Sequence, residues 1–214
     1  MAGVPRSTAG PFVRLVYRLS RRRSRAMAAG GAELPIEPIE LFAHNPRLLF
    51  GYGMLEQSFA SRPRVDAGLR ALAPLQSAVM QGCEFCRDIG SQEARRAGVP
   101  EAQLMDLHRY RESDRFDARE RLVLDLAVAM TSTPVRVDDE LFSALREHFD
   151  EAQMVELISL VALENLRSRF NAAFGIEAAG FSGGAACALM ETSPAPDGAR
   201  QSTPAAPETA AAAV

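Results

Sequence analysis

Gly82-Cys83-Glu84-Phe85-Cys86-Arg87-Asp88-Ile89-Gly90-Ser91 places two thiols three residues apart at the entrance of a helical segment. On a helix, residues i and i+3 share a face, near enough for their sulfurs to close a disulfide and reopen it. If the helix starts near Cys83, as the preceding Gly82 permits, unpaired backbone amides and the positive end of the dipole favour a thiolate there. Arg87, at i+4 from Cys83, offers a fixed positive charge that would lower the thiol pKa further; the competing reading is a solvated surface arginine. The helix should run to about Ala97 and stop at Gly98.

Other chemistries use a Cys-x-x-Cys pair. Half of a four-cysteine zinc site has this spacing, but the remaining sulfur and imidazole donors, Cys187, His44, His108 and His148, form no second short ligand pair. No metal is therefore expected. A thioredoxin-type pair sits in a βαβ unit, and none surrounds this one. Two inert buried cysteines remain the plain alternative, since free Cys is among the most buried residue types.

Outward from the pair, helical patterns continue in both directions. Val65 to Gln81 reads as a helix that Pro74 should kink or divide, a bend that would expose the Cys83 end. Ile39 to Phe59 reads as two short helices broken near Asn45-Pro46. Downstream, Pro100 opens a helix to about Tyr110. Asp117 with Glu120 makes a capping box for a helix to about Met130, and Asp138 caps one to His148. Asp150 with Gln153 starts the longest helix, which ends at Gly175. From Met154 to Leu163 that helix is nearly apolar all round, so it should be central or buried against another subunit. No strand alternation of useful length appears, and the class is all-α.

The ends differ from the middle. Residues 1–34 carry a basic amphipathic helix, Pro11 to Met27, and a Gly/Ala/Pro linker; the apolar side is expected to pack on the domain or a neighbouring subunit. A transit peptide, an anionic membrane patch or an RNA contact are its other readings. Residues 35–184 form the helical domain. Residues 185–214 are an Ala/Pro-rich tail without an apolar face, expected to be disordered.

The 214 residues are 47% hydrophobic with a formal net charge of -3, enough for one good core and offering no global attraction to nucleic acid. All 24 basic residues are Arg, which together with the Ala richness reads as the codon bias of a GC-rich, bacterial genome. The longest apolar stretch, Leu157 to Leu163, is far short of the roughly 20 residues that span a bilayer. Three cysteines in a chain of this length make no secreted disulfide framework, and a recyclable dithiol suits a reducing compartment, so a cytoplasmic location is expected.

Gly82 to Ser91 resembles the redox segment of the carboxymuconolactone decarboxylase and alkylhydroperoxidase D-like superfamily. Asp117 to Thr131 followed by Pro134, and Glu164-Asn165-Leu166-Arg167-Ser168-Arg169-Phe170-Asn171, resemble its later helices. The resemblance covers roughly Pro35 to Phe181, with the N-terminal helix similar to an extension in one uncharacterised branch. It implies an alkylhydroperoxidase D-like helical bundle, assembled as a homo-oligomer, with the pair at a helix N-terminus. It also implies peroxide reduction: one thiolate becomes a sulfenic acid and the other closes a disulfide. Cys83 and Cys86 match those catalytic positions. The family's proton relay, a glutamate and two histidines, falls on Ala71, Phe85 and Gly90, none of which moves a proton. Glu84 and Asp88 should point away from the sulfurs, whereas Glu164, Asn165 and Arg167 are candidate supporting residues that could face them across the core; a structural salt-bridge and cap network is the alternative.

The leading expectation is a thiol-dependent oxidoreductase acting on a hydroperoxide or disulfide. It would draw electrons from a dithiol protein and use no cofactor beyond its redox-active disulfide. A catalytically weak redox-sensing or assembly module is the alternative, and a decarboxylase-like lactone enzyme, which needs no cysteine pair, is a third reading.

Overall fold

Five helices of this chain start at an Asp or Asn, and the computed structural model, which describes residues 1–28, 31 and 34–182, shows these caps in place. Asp117 and Asp150 accept from the N3 backbone amides while Glu120 and Gln153 reach back, completing two capping boxes. Asp138, Asp66 and Asn45 cap their helices in the same one-sided way. The resulting order is α1 Pro11–Met27, α2 Glu37–Phe42, α3 Pro46–Ala60, α4 Ala67–Gln81, α5 Glu84–Arg96 and α6 Glu101–Met105. A 3-10 turn at Leu107–Arg109 leads to α7 Ala118–Thr131, α8 Asp139–His148 and α9 Glu151–Phe174. No strand occurs among the described residues.

The central element is α4, packed against α5, α7 and α9. Its Leu69 and Ala73 join Val123, Leu126, Leu145, Leu157 and Val161 in one apolar cluster. Its Leu72, Leu75 and Val79 join Ala94, Leu104, Tyr110, Phe116 and Leu124 in another. Of α9, expected to be central or buried against another subunit, the face carrying Leu157 and Val161 is buried, while Val155 and Leu166 are 65% and 47% exposed. Apolar residues on a second face do not by themselves bury a helix, because much of a folded surface is apolar.

Of the two outcomes expected at Pro74, a kink or a division, the division is corrected. It lies inside α4 without dividing it. The missing hydrogen bond costs about 3 kcal/mol in an isolated helix, but here α4 is clamped on several sides and the packing outweighs it. The following turn needs Gly82, whose φ of 66° caps α4 in the left-handed region. Gly90, where the family's relay would place a histidine, allows α5 to approach α4: a Cβ there would meet Leu75 Cδ1 at 3.2 Å.

The expected helix to Tyr110 stops early, at Met105. Asp106 explains it, accepting from the side chains of Arg109, Ser113 and Arg115 and folding the segment around its carboxylate. At the N-terminus, α1 lays Val13 and Tyr17 against Ile36, Ala43 and Leu49. Tyr17 Oη donates to Val4 O at 2.7 Å, and Arg21 pairs with Glu40. Its inner side thus packs on α2 and α3. The tail expected at 185–214, and Cys187 within it, lie outside the described residues.

Candidate active site

The turn at Gly82 delivers Cys83 to the N-cap of α5, where its Sγ accepts from the Cys86 amide at 3.2 Å. Cys83 and Cys86 are joined as a disulfide, with Cα atoms 5.3 Å apart. The expectation that a bend in α4 exposes this end is corrected: both cysteines are 5% exposed. What covers them is α9 and the segment after it.

From α9, Ser168 Oγ donates to Cys86 Sγ at 3.5 Å and lies 3.0 Å from Glu164 Oε1. Asn171 Nδ2 donates to Cys86 Sγ at 3.3 Å and to Cys83 Sγ at 3.6 Å. Glu164, Ser168 and Asn171 are spaced i, i+4, i+7, which puts them on one face of α9. Glu164 was expected near the thiols and is, through Ser168. In the disulfide the two sulfurs are weak acceptors; on reduction the same donors would face a thiolate and stabilise it.

Arg167 reaches the site's edge instead. It donates through Nε to Glu56 Oε1 at 2.9 Å, through Nη2 to Glu56 Oε2, and through Nη1 to Glu164 Oε2 at 3.1 Å, with Tyr52 Oη 3.3 Å away. Burial alone would raise Glu56, but Arg167 and its hydrogen bonds bring it below the usual carboxylate range. Burial dominates at Glu164, whose pKa is pushed up to about 7 despite Arg167 and Ser168. Burial also raises Glu93, partly offset by Arg167 and Arg23.

One sequence expectation fails, and one alternative is corrected. Asn165 turns away from the thiols, donating to Thr131 Oγ1 at 3.1 Å and Val161 O at 3.0 Å and accepting from Arg169, because its place on α9 faces α7. Arg87 is 7% exposed and neither solvated nor hydrogen-bonded to a sulfur. The solvated-surface reading of Arg87 is thereby corrected; burial lowers its pKa, partly countered by Glu84.

Asp88 was expected to point away from the sulfurs; it does so while 1% exposed, turned toward the segment after α9. Its carboxylate accepts from the backbone amides of Ala179, Gly180, Phe181 and Ser182, at 2.6 to 3.0 Å. This strap sets Phe181 edge-on against Phe85, 5.8 Å between centroids. Asp88→Asn should therefore cost about 1.5–3 kcal/mol, the range for hydrogen bonds to a charged group, and should speed reduction of the disulfide by dithiothreitol. A thiol release assay at fixed reductant reads the second effect; an unchanged rate would mean the strap does not limit access.

Cys86 lines a cavity of about 480 Å³, within the range of small-molecule sites. The walls come from α1 (Phe12, Leu19), α2 and α3 (Phe42, Phe50, Tyr52), α5 (Phe85) and α9 (Phe170), with Phe181 of the strap. Phe42 stacks between Tyr52 and Phe170, at 4.6 and 4.2 Å between centroids. Glu93, Glu164 and Arg167 bring charge into this apolar wall. Among the described residues no group of three or more His, Cys, Asp or Glu is placed to hold a metal ion. No described helix is long and apolar enough to cross a membrane.

The helical bundle, with its cysteine pair capping one helix beneath an aromatic cavity, has an alkylhydroperoxidase D-like fold. Residues 49–129 match the model of the carboxymuconolactone decarboxylase family. The uncharacterized protein YnjA of Escherichia coli K12 is 40% identical over 129 residues, 60% of this chain and 69% of that protein. The chain belongs to the carboxymuconolactone decarboxylase family. Its fold is similar to that of the debrominase Bmp8, with a TM-score of 0.72 at 23% identity, covering 88% of this chain and 96% of that one. It is also similar to the alkylhydroperoxidase core of a peroxidase-related protein from Ralstonia eutropha JMP134, with a TM-score of 0.69 at 16% identity, covering 83% and 90%.

Ser168, Asn171, Asp88, Tyr52 and Glu56 are site residues the sequence reading missed. The signal for the first two was present: they repeat Glu164 at helical spacing. Phe85 and Phe170, which the sequence leaves open between pocket wall and core, line the cavity.

Proposed function

We propose that the protein is a dithiol oxidoreductase that reduces an organic hydroperoxide at Cys86, with Cys83 as the resolving thiol. The family points to an enzyme, peroxidase-related or decarboxylase-like. The observation that favours the first is that Cys86 lines a largely apolar cavity while bonded to Cys83. A lactone decarboxylase would have no use for that bond. A passive sensor would have no use for the cavity. In the overall reaction the hydroperoxide takes two electrons and two protons from the dithiol, giving an alcohol, water and the disulfide. A dithiol donor then restores both thiols. The net requirement is one donor dithiol per peroxide and no other cofactor.

The test is a thiol titration of the reduced protein with cumene hydroperoxide. Loss of two thiols per chain, restored by a dithiol and repeated over many turnovers, is the expected result. Thiols that stay unreactive in the folded protein would overturn it.

A second substrate class is favoured by the stacked rings of the cavity wall and by the likeness to a debrominase, which has also been solved with 2,3,4-tribromopyrrole bound. There the dithiol would supply two electrons and two protons to a brominated ring, giving the ring with hydrogen in place of bromine, hydrogen bromide and the disulfide. Bromide release from tribromopyrrole, measured beside peroxide consumption, separates the two.

A further inference from the structure

Thiol attack on a peroxide needs the thiol proton removed and then returned to the leaving oxygen. Ala71, Phe85 and Gly90 supply neither step. Cys86 nevertheless has proton partners. Ser168 Oγ stands between Cys86 Sγ and Glu164 Oε1, at 3.5 and 3.0 Å, and Asn171 Nδ2 covers the same sulfur from the next turn of α9. Ser168 is 1% exposed and Glu164 5%, so bulk water does not compete for this path.

We propose that Ser168 and Glu164 form the proton path of Cys86, taking the place of the glutamate and histidines that this chain lacks; the inference rests on the dithiol reading above. In the reduced protein, the Cys86 thiol gives its proton to Ser168 Oγ as the Ser168 hydroxyl proton passes to the Glu164 carboxylate. The thiolate, held by Asn171 N–H, attacks the hydroperoxide. The S–O bond forms and the O–O bond breaks, sulfur is oxidised to sulfenic acid, and the leaving alkoxide takes the proton back from Glu164 through Ser168. The Cys83 thiol then displaces the sulfenic oxygen, which leaves as water once it has taken the Cys83 proton, and the disulfide closes.

Glu164 is suited to both directions of transfer because burial holds its pKa at about 7. The charged and titratable groups around it are Arg167 on its own helix, Tyr52 and Glu56 on α3, Glu93 on α5, and Arg23 on α1 beyond Glu93. Arg167 is the only one of these that donates to Glu164 among the described residues. Ser168 is thus the catalytic contact to sulfur, and Glu164 acts through it.

The test is the pH profile of Cys86 alkylation by iodoacetamide in the reduced protein, read by mass spectrometry, which needs no peroxide activity. In wild type the rate should rise with pH as the Cys86 thiol ionises. Ser168→Ala, which leaves the Arg167 pairs intact, should slow alkylation at neutral pH roughly tenfold and move the inflection up by about one unit. Glu164→Gln should do the same, the double variant should be no slower than either, and Ser168→Thr should restore the profile. Peroxide reduction should fall about 10²-fold in the two single variants. An unshifted profile in folded Ser168→Ala, or effects that multiply in the double variant, would overturn the path. A wild type whose alkylation follows this pattern but which reduces no peroxide would leave the path standing and remove the hydroperoxide reading.

Discussion

Cys86→Ser should reduce peroxide consumption to the level of buffer, whereas Cys83→Ser should consume one equivalent and then stop. The difference follows from placement. Cys86 lines the cavity and its sulfur receives both α9 donors, while Cys83 caps the helix and does not line the cavity. A substrate in the cavity therefore meets Cys86 first. Without Cys83 the resulting sulfenic acid has no neighbouring thiol to displace its oxygen and should persist long enough for dimedone to trap it on Cys86. Mass spectrometry of trapped peptides checks this directly. Dimedone adduct on Cys83 in the Cys86→Ser variant, formed at the wild-type rate, would reverse the assignment.

The parts of this protein legible in its sequence are those fixed by neighbours along the chain. The capping boxes at Asp117 and Asp150 involve residues three apart, so they read directly. The pair Cys83 and Cys86 reads for the same reason. Ser168 and Asn171 were legible in principle, as the continuation of a polar stripe begun by Glu164, but a polar residue following an apolar run gives no hint of which ones turn inward. Asp88 and Arg167 mark the limit: their partners lie 91 to 94 and 111 residues away in the chain, where no local pattern reaches. Pro74 and Tyr110 show the converse error. At Pro74 tertiary packing overrode a local helix-breaking signal, and near Tyr110 a side-chain hub at Asp106 overrode a local helix-forming one.

Arg167→Met should be the most destabilising single change in the site, by about 3–5 kcal/mol, the cost of breaking a buried ion pair by removing one partner. The reason is what remains. Glu56 and Glu164 both point at the guanidinium, and among the described residues Glu164 has only Ser168 as a further hydrogen-bond donor. In wild type, burial lowers the arginine's pKa but the two carboxylates raise it further, so it stays charged throughout the working range. Methionine fills similar volume yet donates nothing, and Lys offers a point charge where a fork spans two carboxylates, so Arg167→Lys should recover only part of the loss. For a chain of this length each kcal/mol moves Tm by about 2–4 °C, so a fall on the order of 10 °C is expected. Its pH dependence carries the mechanism. Glu164 binds its proton more tightly folded than unfolded, so its contribution to stability is fully present at low pH and lost as pH rises through about 7. Removing Arg167 raises that folded pKa further and raises Glu56 as well, since the cation that opposed their burial is gone. The Tm deficit should accordingly be small near pH 5, where the orphaned carboxyls protonate, and large at pH 8, where they must ionise inside the protein. Thermal melts at the two pH values decide it: an equal deficit at both would mean Arg167 acts through packing of its side-chain stem, and the electrostatic account of this cluster would have to be given up.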